Sequence, residues 1–230
     1  MTTRSLFLRL TAIFLALGCA SHVQATGYTI PDNITVNTPT DISIDQRIDQ
    51  DSELRQRFHA YRVFLAVEPP GWGLGPICWL ADAVNIDKQD ISIYVPADVV
   101  PDNTRVKIST GLVYDKNPQR VNGFDYSGYT RIVGGGNGTW IQRELDGWVI
   151  GDENLVSCWA LGCVRSCYDK YYTGDESRIS DGSGDGEAEK CADQCIKDLN
   201  PKRRSAASGR TQASLAGATL MSAVLILISL

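Results

Sequence analysis

The sequence predicts a mainly β fold: an immunoglobulin-like β-sandwich followed by a small helical hairpin that disulfides pin together. Short apolar or alternating segments fill residues 26–150, and proline, glycine and asparagine separate them. Four cysteines fall after residue 160, in two pairs with a spacing of four. Many short strands between turn signals are typical of a sandwich, and cysteines spaced in this way share one face of a helix.

The strand candidates follow one another along the first part of the chain. Ala60–Val67 is the strongest because it is almost wholly apolar, and Ile91, Ile93 and Val95 alternate with other residues as one face of a strand does. The remaining candidates are residues 34–38, 42–44, 106–112, 129–133 and 139–143. The polar stretch Gln46–His59 is predicted to be an exposed helix or a long loop.

After residue 150 the pattern becomes helical. Apolar or cysteine side chains recur every four residues from Leu155 to Tyr171, and Glu187–Leu199 shows similar spacing. Pro201 ends the second helix, and the glycine-rich, acidic residues 173–186 are predicted to form a loop. The expected domains are therefore a sandwich over 26–150 and a Cys-rich hairpin over 151–200.

The two ends of the chain have the patterns of processing signals. Residues 1–25 combine a basic start, an apolar core and a small-residue cleavage site ending at Ala25, which predicts a secretory signal peptide. Residues 215–230 form an uncharged, mostly apolar tail, and small residues with a polar spacer precede it in the stem 201–214. This order predicts a glycosylphosphatidylinositol (GPI) anchor attached at Ser205.

Several alternatives remain at the second signal. Ala206, Ala207 and Ser208 are also small enough to carry the anchor, and Lys202–Arg204 has the pattern of a dibasic cleavage site. A membrane-spanning helix needs about 20 apolar residues, whereas the tail has 16 residues. A lipid anchor in the outer leaflet of the plasma membrane is therefore the expected location, with the cell wall as a second one.

The charge of the chain argues against a nucleic-acid partner. It has 22 basic and 27 acidic residues, a net charge of −5. Removing both predicted signals takes away Arg4, Arg9 and Arg210 and no acidic residue, which leaves −8. An acidic ectodomain gains nothing from a phosphate backbone.

The cysteines predict three disulfides. Cys19 lies within the signal peptide, and six cysteines remain, an even number in an exported chain. Two antiparallel helices with cysteines four apart would pair Cys163 with Cys195 and Cys167 with Cys191, and Cys78 is left for Cys158. A metal site is disfavoured because no histidine lies nearby, and no cofactor is expected.

Two glycosylation acceptors and one tryptophan are the candidate surface residues. Asn33 and Asn137 each begin an Asn-X-Thr tripeptide, and in an exported chain both are expected to carry glycans. Most of the five tryptophans are expected in the core. Trp72 lies in a loop of proline and glycine, where an exposed indole can stack on a sugar or anchor a protein partner.

No catalytic residue is assigned, and the chain is not expected to be an enzyme. The histidines are His22, inside the signal peptide, and His59, at the start of the strongest strand, where a structural role is expected. The sequence has no P-loop, dinucleotide or zinc-hydrolase pattern. A cell-wall carbohydrate enzyme with two paired carboxylates is a further hypothesis, because such pairing is spatial.

Four segments, in chain order, resemble a fungal family, the necrosis-inducing secreted effectors. They are ITVNTPTDISI (34–44), AYRVFLAVEPPGWGLG (60–75), ISIYVPADVVPDNTRVKISTGLVY (91–114) and GFDYSGYTRIVGG (123–135). The resemblance implies a β-sandwich without enzyme activity that binds plant immune receptor kinases and damps defence. The chain is more distantly similar to fungal cell-wall proteins needed for β-1,6-glucan assembly, which share a Val-Pro strand.

The leading hypothesis is a non-enzymatic, GPI-anchored surface glycoprotein of a fungus. Its sandwich would bind an extracellular protein or a cell-wall glycan through loops at one end. The effector family lacks the six-cysteine tail and the anchor signal, and a tethered protein does not readily enter a host cell. A secreted, effector-like protein that suppresses host immune receptor signalling is the alternative hypothesis.

Overall fold

A computed structural model describes residues 27–45, 48–68, 73–174 and 186–201. Within these ranges the chain is mainly β and its strands form two sheets. Several predicted features lie outside the described residues: the signal peptide with its cleavage site at Ala25, Trp72, most of the stem with Ser205, and the tail 215–230.

The smaller sheet has three antiparallel strands. They are β1 (Gly27–Thr29), β3 (Thr40–Asp45) and β6 (Asp90–Ile93), in the order β1-β3-β6. Alternation sets the faces of this sheet: Ile42 and Ile44 of β3 are buried, whereas Asp41 between the turn and Ile42 is exposed.

The larger sheet has five strands in the order β2-β8-β7-β4-β5. They are β2 (Asn33–Thr35), β4 (Ala60–Val67), β5 (Gly75–Asn85), β7 (Arg105–Tyr114) and β8 (Asn117–Val133). β2 runs parallel to β8, and the other neighbours are antiparallel. The predicted strand Ala60–Val67 lies inside this sheet with partners on both sides, which explains its almost unbroken apolar sequence.

One apolar cluster joins the two sheets and the helices. Buried β-branched and leucine side chains supply most of it: Ile34, Ile42, Ile44, Val63, Leu65, Ile93, Val106, Ile108 and Ile132 from the sheets, and Leu161 and Val164 from the second α-helix. Burying each such side chain stabilises the fold by about 1.5–3 kcal/mol relative to leaving it exposed.

The outer face of the larger sheet contains a buried arginine. The side chain of Arg62 on β4 has no exposed surface, and its Nε donates to Asp82 Oδ1 at 2.7 Å. Its two terminal nitrogens donate to the backbone oxygens of Pro118 and Asn154 at 2.7 and 2.9 Å. Arg62 thereby ties the start of β8 and the segment that precedes the helix Leu161–Tyr171 to this face of the sheet, and its fork of donors suits several acceptors at once.

Three α-helices and one 3₁₀ turn complete the described chain. The 3₁₀ turn is Glu53–Gln56, and the α-helices are α1 (Gln142–Leu145), α2 (Leu161–Tyr171) and α3 (Gly186–Leu199). Disulfides Cys163–Cys195 and Cys167–Cys191 join α2 to α3, and Cys78–Cys158 joins β5 to the segment before α2. These are the three pairs that the cysteine spacing predicts.

Some predicted boundaries are wrong. Residues 139–143 do not form a strand, and a helical turn begins at Gln142 because the Glu144 carboxylate accepts the Ile141 N–H at 3.1 Å. The second α-helix begins at Leu161 rather than at Leu155, and β5 was not predicted. Gln46–His59 is mostly loop around the 3₁₀ turn, with residues 46 and 47 outside the described part.

Candidate binding surface

The tryptophans differ in exposure. Trp79 on β5 is buried, Trp148 is half-buried, and Trp140 is half-buried beneath the guanidinium of Arg165, whose Cζ lies 4.9 Å from the ring centroid. Trp159 alone among the described tryptophans is exposed, with 43% of its surface accessible. The expectation of a core role therefore fits Trp79, and the exposed indole in the described part of the chain is Trp159.

Stacking fixes the exposed indole in place. The rings of Trp159 and Tyr94 lie 4.5 Å apart between centroids and only 16° from parallel. Trp159 directly follows Cys158, whose disulfide to Cys78 and backbone hydrogen bond to Trp79 O at 2.9 Å attach this segment to β5. Trp159 thus presents an apolar surface on a rigid support, which lowers the entropy lost when a ligand stacks on it.

Asn37 positions the supporting tyrosine. Its backbone has a positive φ of 56°, which asparagine tolerates better than most residues. Its side-chain oxygen accepts hydrogen bonds from the Tyr94 hydroxyl at 3.3 Å and from the Ala97 N–H at 3.2 Å. The β2–β3 turn and the segment after β6 are therefore held together behind the aromatic pair.

A polar cleft of about 410 Å³ lies along α2, and Gly162, three positions after Trp159, is one of its lining residues, whereas Trp159 is not. Gly162 and Cys163 of α2 line it, and Asn137 and Thr139 line the opposite side. The remaining lining residues are Asp98, Gly138, Ile141, Arg165, Ser166 and Asp169. An aromatic surface next to carboxylates, amides and hydroxyls is the combination that orients a polyhydroxyl ligand.

Arg165, which lines the cleft, forms a buried ion pair. Arg165 of α2 and Glu144 of α1 are both buried, and Arg165 Nη2 lies 2.9 Å from Glu144 Oε1. Arg165 Nη1 also donates to Val99 O, and Glu144 accepts the Ile141 N–H. Since these partners occupy both side chains, the pair supports the cleft and joins α1 and α2 to the sandwich.

The Asp98 carboxylate is packed against the start of α2. A Cβ placed on Gly162 would meet Asp98 Oδ2, so a larger residue at position 162 would push this exposed carboxylate away from the helix. A negative charge beside the first turn of a helix is stabilised by the helix dipole. Asp98 therefore has a structural function in addition to lining the cleft.

The loops around this site meet at one end of the sandwich. β2, β6 and β8 finish at this end, and β3 and β7 begin there, as the pairings of Thr35 with Val133 and of Thr40 with Ile93 indicate. The segment 134–141 after β8 is held there by hydrogen bonds from the N–H groups of Asn137 and Gly138 to Ala97 O, at 2.8 and 3.1 Å.

The two predicted glycosylation acceptors are exposed. Asn33 lies on the edge strand β2, opposite Arg131 of β8. Asn137 lies at the mouth of the polar cleft with Thr139 of the same tripeptide. A glycan on Asn137 would therefore border the cleft, whereas a glycan on Asn33 would border the outer face of the larger sheet.

The described histidine makes a surface pair with an aspartate. His59 Nδ1 lies 2.6 Å from Asp115 Oδ2, and the His59 N–H donates to Asp115 Oδ1 at 3.2 Å. These two contacts of His59 with Asp115 tie the start of β4 to the β7–β8 turn. In the described ranges, no group of three or more histidine, cysteine or acidic side chains is arranged to hold a metal ion.

Comparison of the sequence with protein-family models and with curated proteins gives no match. Across residues 27–45, 48–68, 73–174 and 186–201, no helix has the length and apolar character needed to cross a membrane.

Proposed function

We propose that the protein is a non-enzymatic, GPI-anchored fungal cell-surface glycoprotein that binds a cell-wall glycan. The observation that carries the proposal is the exposed, rigidly held indole of Trp159 beside the polar cleft. The flat ring offers a stacking surface for a sugar, and the cleft offers donors and acceptors for its hydroxyl groups. An extracellular protein that inserts a side chain there is the second kind of ligand.

The proposal includes an immunoglobulin-like type for the sandwich. In support, the order β1-β3-β6 in one sheet and β8-β7-β4-β5 in the other corresponds to strands A-B-E and G-F-C-C′ of that fold. The parallel strand β2 would be the second half of a divided first strand. The disulfide Cys78–Cys158 begins on β5, so it differs from the disulfide between strands B and F of antibody domains.

Two features of the site favour binding over catalysis. Asp98 and Asp169 both line the cleft, but the Asp98 carboxylate is packed against α2, where it serves the helix terminus. His59 makes its pair with Asp115 at the β7–β8 turn and does not line the cleft. A general acid and base need positions from which both can reach the reacting atoms.

The proposal is tested by pulling down the protein with insoluble cell-wall fractions: β-1,3-glucan, β-1,6-glucan, mannan and chitin. We expect one fraction to retain the natural protein and Trp159→Phe, since phenylalanine keeps a ring on Tyr94. Trp159→Ala should lose about tenfold or more in affinity, because the ligand loses its stacking contact with the indole. One stacking contact on an aromatic side chain contributes about 1–3 kcal/mol.

Val149→Ala is the matched control, because Val149 is an exposed apolar residue outside the cleft. The control should bind like the natural protein, and near-ultraviolet circular dichroism should show that all the variants are folded. Equal retention of Trp159→Ala and the natural protein would refute binding at this site. Retention by none of the fractions would direct the search to a protein ligand.

A further inference from the structure

We infer that the outer face of the larger sheet carries a second binding site, one for an acidic polysaccharide such as a polyuronate. The site is a cationic patch made of Arg105 and Lys107 on β7 and Tyr129 and Arg131 on β8. It is separate from Trp159 and the polar cleft, and it does not depend on the anchor.

The register places these four side chains in a two-by-two grid. Arg105 lies directly opposite Arg131, and Lys107 lies directly opposite Tyr129. Residues that are opposite in an antiparallel pair point to the same face, and the intervening Val106 is buried in the core. Arg105, Tyr129 and Arg131 are exposed and Lys107 is half-buried, so the grid faces solvent.

The grid brings together like charges in an acidic chain. Like charges directly opposite on neighbouring strands are destabilising, and Arg105 and Arg131 are such a pair. Within the described part of the chain, none of the three cations makes an ion pair with a carboxylate. The arrangement therefore costs stability in the free protein, and a bound anion would remove the repulsion.

Tyr129 is the positioning residue of the patch. The Cζ of Arg105 lies 4.1 Å from its ring centroid, and the Nζ of Lys107 lies 4.6 Å from it. Cation–π attraction to one ring holds both flexible side chains near each other. Less conformational entropy is then lost when an anion binds between them.

The chemistry of the grid selects a thin, flexible polyanion. Arginine forks bind carboxylates in a bidentate manner, and the ring edge of Tyr129, which is 44% exposed, offers apolar contact to a sugar ring. A membrane or a nucleic-acid duplex presents a broad negative surface that would repel the rest of this chain, because the whole chain has a net charge of −5 even with the three cations of the patch included. A single polysaccharide strand can lie on the patch alone.

The test measures binding of the purified full-length protein to polygalacturonate over a range of salt concentrations. We expect saturable binding that weakens with salt and does not occur with neutral dextran. Arg105→Gln/Arg131→Gln should weaken binding about tenfold or more and flatten the salt dependence, because two of the charged contacts are lost. The same variant should melt at an equal or higher temperature than the natural protein.

Lys116→Gln/Arg120→Gln is the matched control, since Lys116 in the β7–β8 turn and Arg120 near the start of β8 are both exposed and the net charge changes equally. It should bind polygalacturonate as the natural protein does. Tyr129→Phe should keep the affinity, whereas Tyr129→Ala should weaken it without changing the salt slope, because the number of cations is unchanged.

Three outcomes would overturn the inference. Equal losses in both charge-matched double variants would show a diffuse charge effect. Absence of binding at low salt would remove the site, and stronger binding to phosphatidylserine vesicles than to polygalacturonate would make it a lipid site. Because Trp159→Ala leaves the patch intact, loss of glycan retention by that variant alone would concern only the proposed function.

Discussion

Two tyrosines of the sandwich have hydrogen-bonded hydroxyl groups: Tyr61 is buried and Tyr28 is half-buried. The Tyr61 hydroxyl donates to Lys88 O at 2.7 Å, and the Tyr28 hydroxyl lies 2.7 Å from Thr110 Oγ1. The pKa of each phenol is raised from 10.0 to about 12, mainly by burial and, for Tyr61, to a smaller extent by the charge of Asp90. Both tyrosines therefore resist ionisation in the folded state.

These raised pKa values make stability fall in alkaline solution. Below pH 10 the folded and the unfolded chain both keep the phenol proton, so the free energy of unfolding is not reduced by tyrosine ionisation. Between pH 10 and about pH 12 the unfolded chain loses the proton first, and the stability decreases as the pH rises towards the folded-state pKa.

We expect Tyr61→Phe to lower the free energy of unfolding at pH 8 by about 1 kcal/mol, because Lys88 O loses its donor. As the pH rises towards 12, ionisation of Tyr61 lowers the free energy of unfolding of the natural protein by up to about 3 kcal/mol. Tyr61→Phe has no phenol at this position, so its stability does not fall for this reason. Denaturant unfolding at several pH values should therefore show the difference closing or reversing. A constant difference up to pH 12 would contradict the burial of this hydroxyl.

Individual side chains also show why the candidate site was only partly predictable. Trp159 lies in a repeat of four that predicts a buried helix face, but the helix begins two residues later and leaves the indole on the surface. Its partner Tyr94 follows a strand that the alternation of Ile91 and Ile93 does predict. No local sequence pattern predicts that Trp159 stacks on Tyr94, because the two residues are 65 positions apart and only the folded loops bring them together.

The helical hairpin depends on cross-links at the element scale. α2 and α3 are joined by two nested disulfides, with sequence separations of 32 for Cys163–Cys195 and 24 for Cys167–Cys191. Cys78–Cys158 closes a separate loop with a separation of 80. The two kinds of bond therefore constrain the unfolded chain to different extents.

Loss of Cys78–Cys158 should destabilise the protein far more than loss of the inner hairpin bond. The chain-entropy contribution of an 80-residue loop is about 4.5 kcal/mol. When Cys167–Cys191 is removed, Cys163–Cys195 still closes nearly the same loop, so we expect a loss of about 1 kcal/mol. Thermal unfolding of Cys78→Ala/Cys158→Ala and of Cys167→Ala/Cys191→Ala measures the two losses of stability.

Similar melting temperatures for the two double variants would contradict this nested arrangement. Far-ultraviolet circular dichroism of the second variant should retain the helical signal, since the outer bond and the α2–α3 packing persist. Attachment of the hairpin to the sandwich depends on the shared apolar cluster, on the Glu144–Arg165 pair and on Cys78–Cys158.

At the scale of the whole molecule, the described chain ends close to the candidate site. Asn200 Nδ2 donates to Leu155 O at 2.7 Å, and Asn200 Oδ1 accepts the Ser157 N–H at 3.0 Å. The expected attachment residue Ser205 lies four positions after Pro201, which spans about 14 Å at most. An anchor at Ser205 would therefore hold Trp159 in the layer of the cell wall nearest the membrane.

We expect a phosphatidylinositol-specific phospholipase to release the protein from intact cells when an epitope tag follows Ala25. A Leu225→Arg variant is the control, because a charge in the tail 215–230 breaks the apolar anchor signal. Natural protein found free in the medium and cut near Lys202–Arg204 would instead favour the effector-like alternative. Protein that stays in the membrane pellet after the enzyme would indicate a spanning tail.

The mainly β character of the chain and the disulfide pairs could be predicted from the sequence because they depend on local periodicity. Alternation marks the strands around Ile42, Ile91 and Val106, and a spacing of four places cysteines on one face of each helix. β5 was missed because Pro76 and Gly75 interrupt its apolar pattern, and because it contains Asp82, whose charge is paired with Arg62 of the neighbouring strand.

The sequence by itself determined a mainly β chain, its six-cysteine pattern and the candidate signals, since each of these features depends on residues that are close together along the chain. Tertiary structure alone decided the sheet order, the Trp159–Tyr94 stack with its cleft, and the opposition of Arg105 and Arg131. These features arise where distant segments meet, and which segments meet is set by burial of the shared core rather than by any local preference.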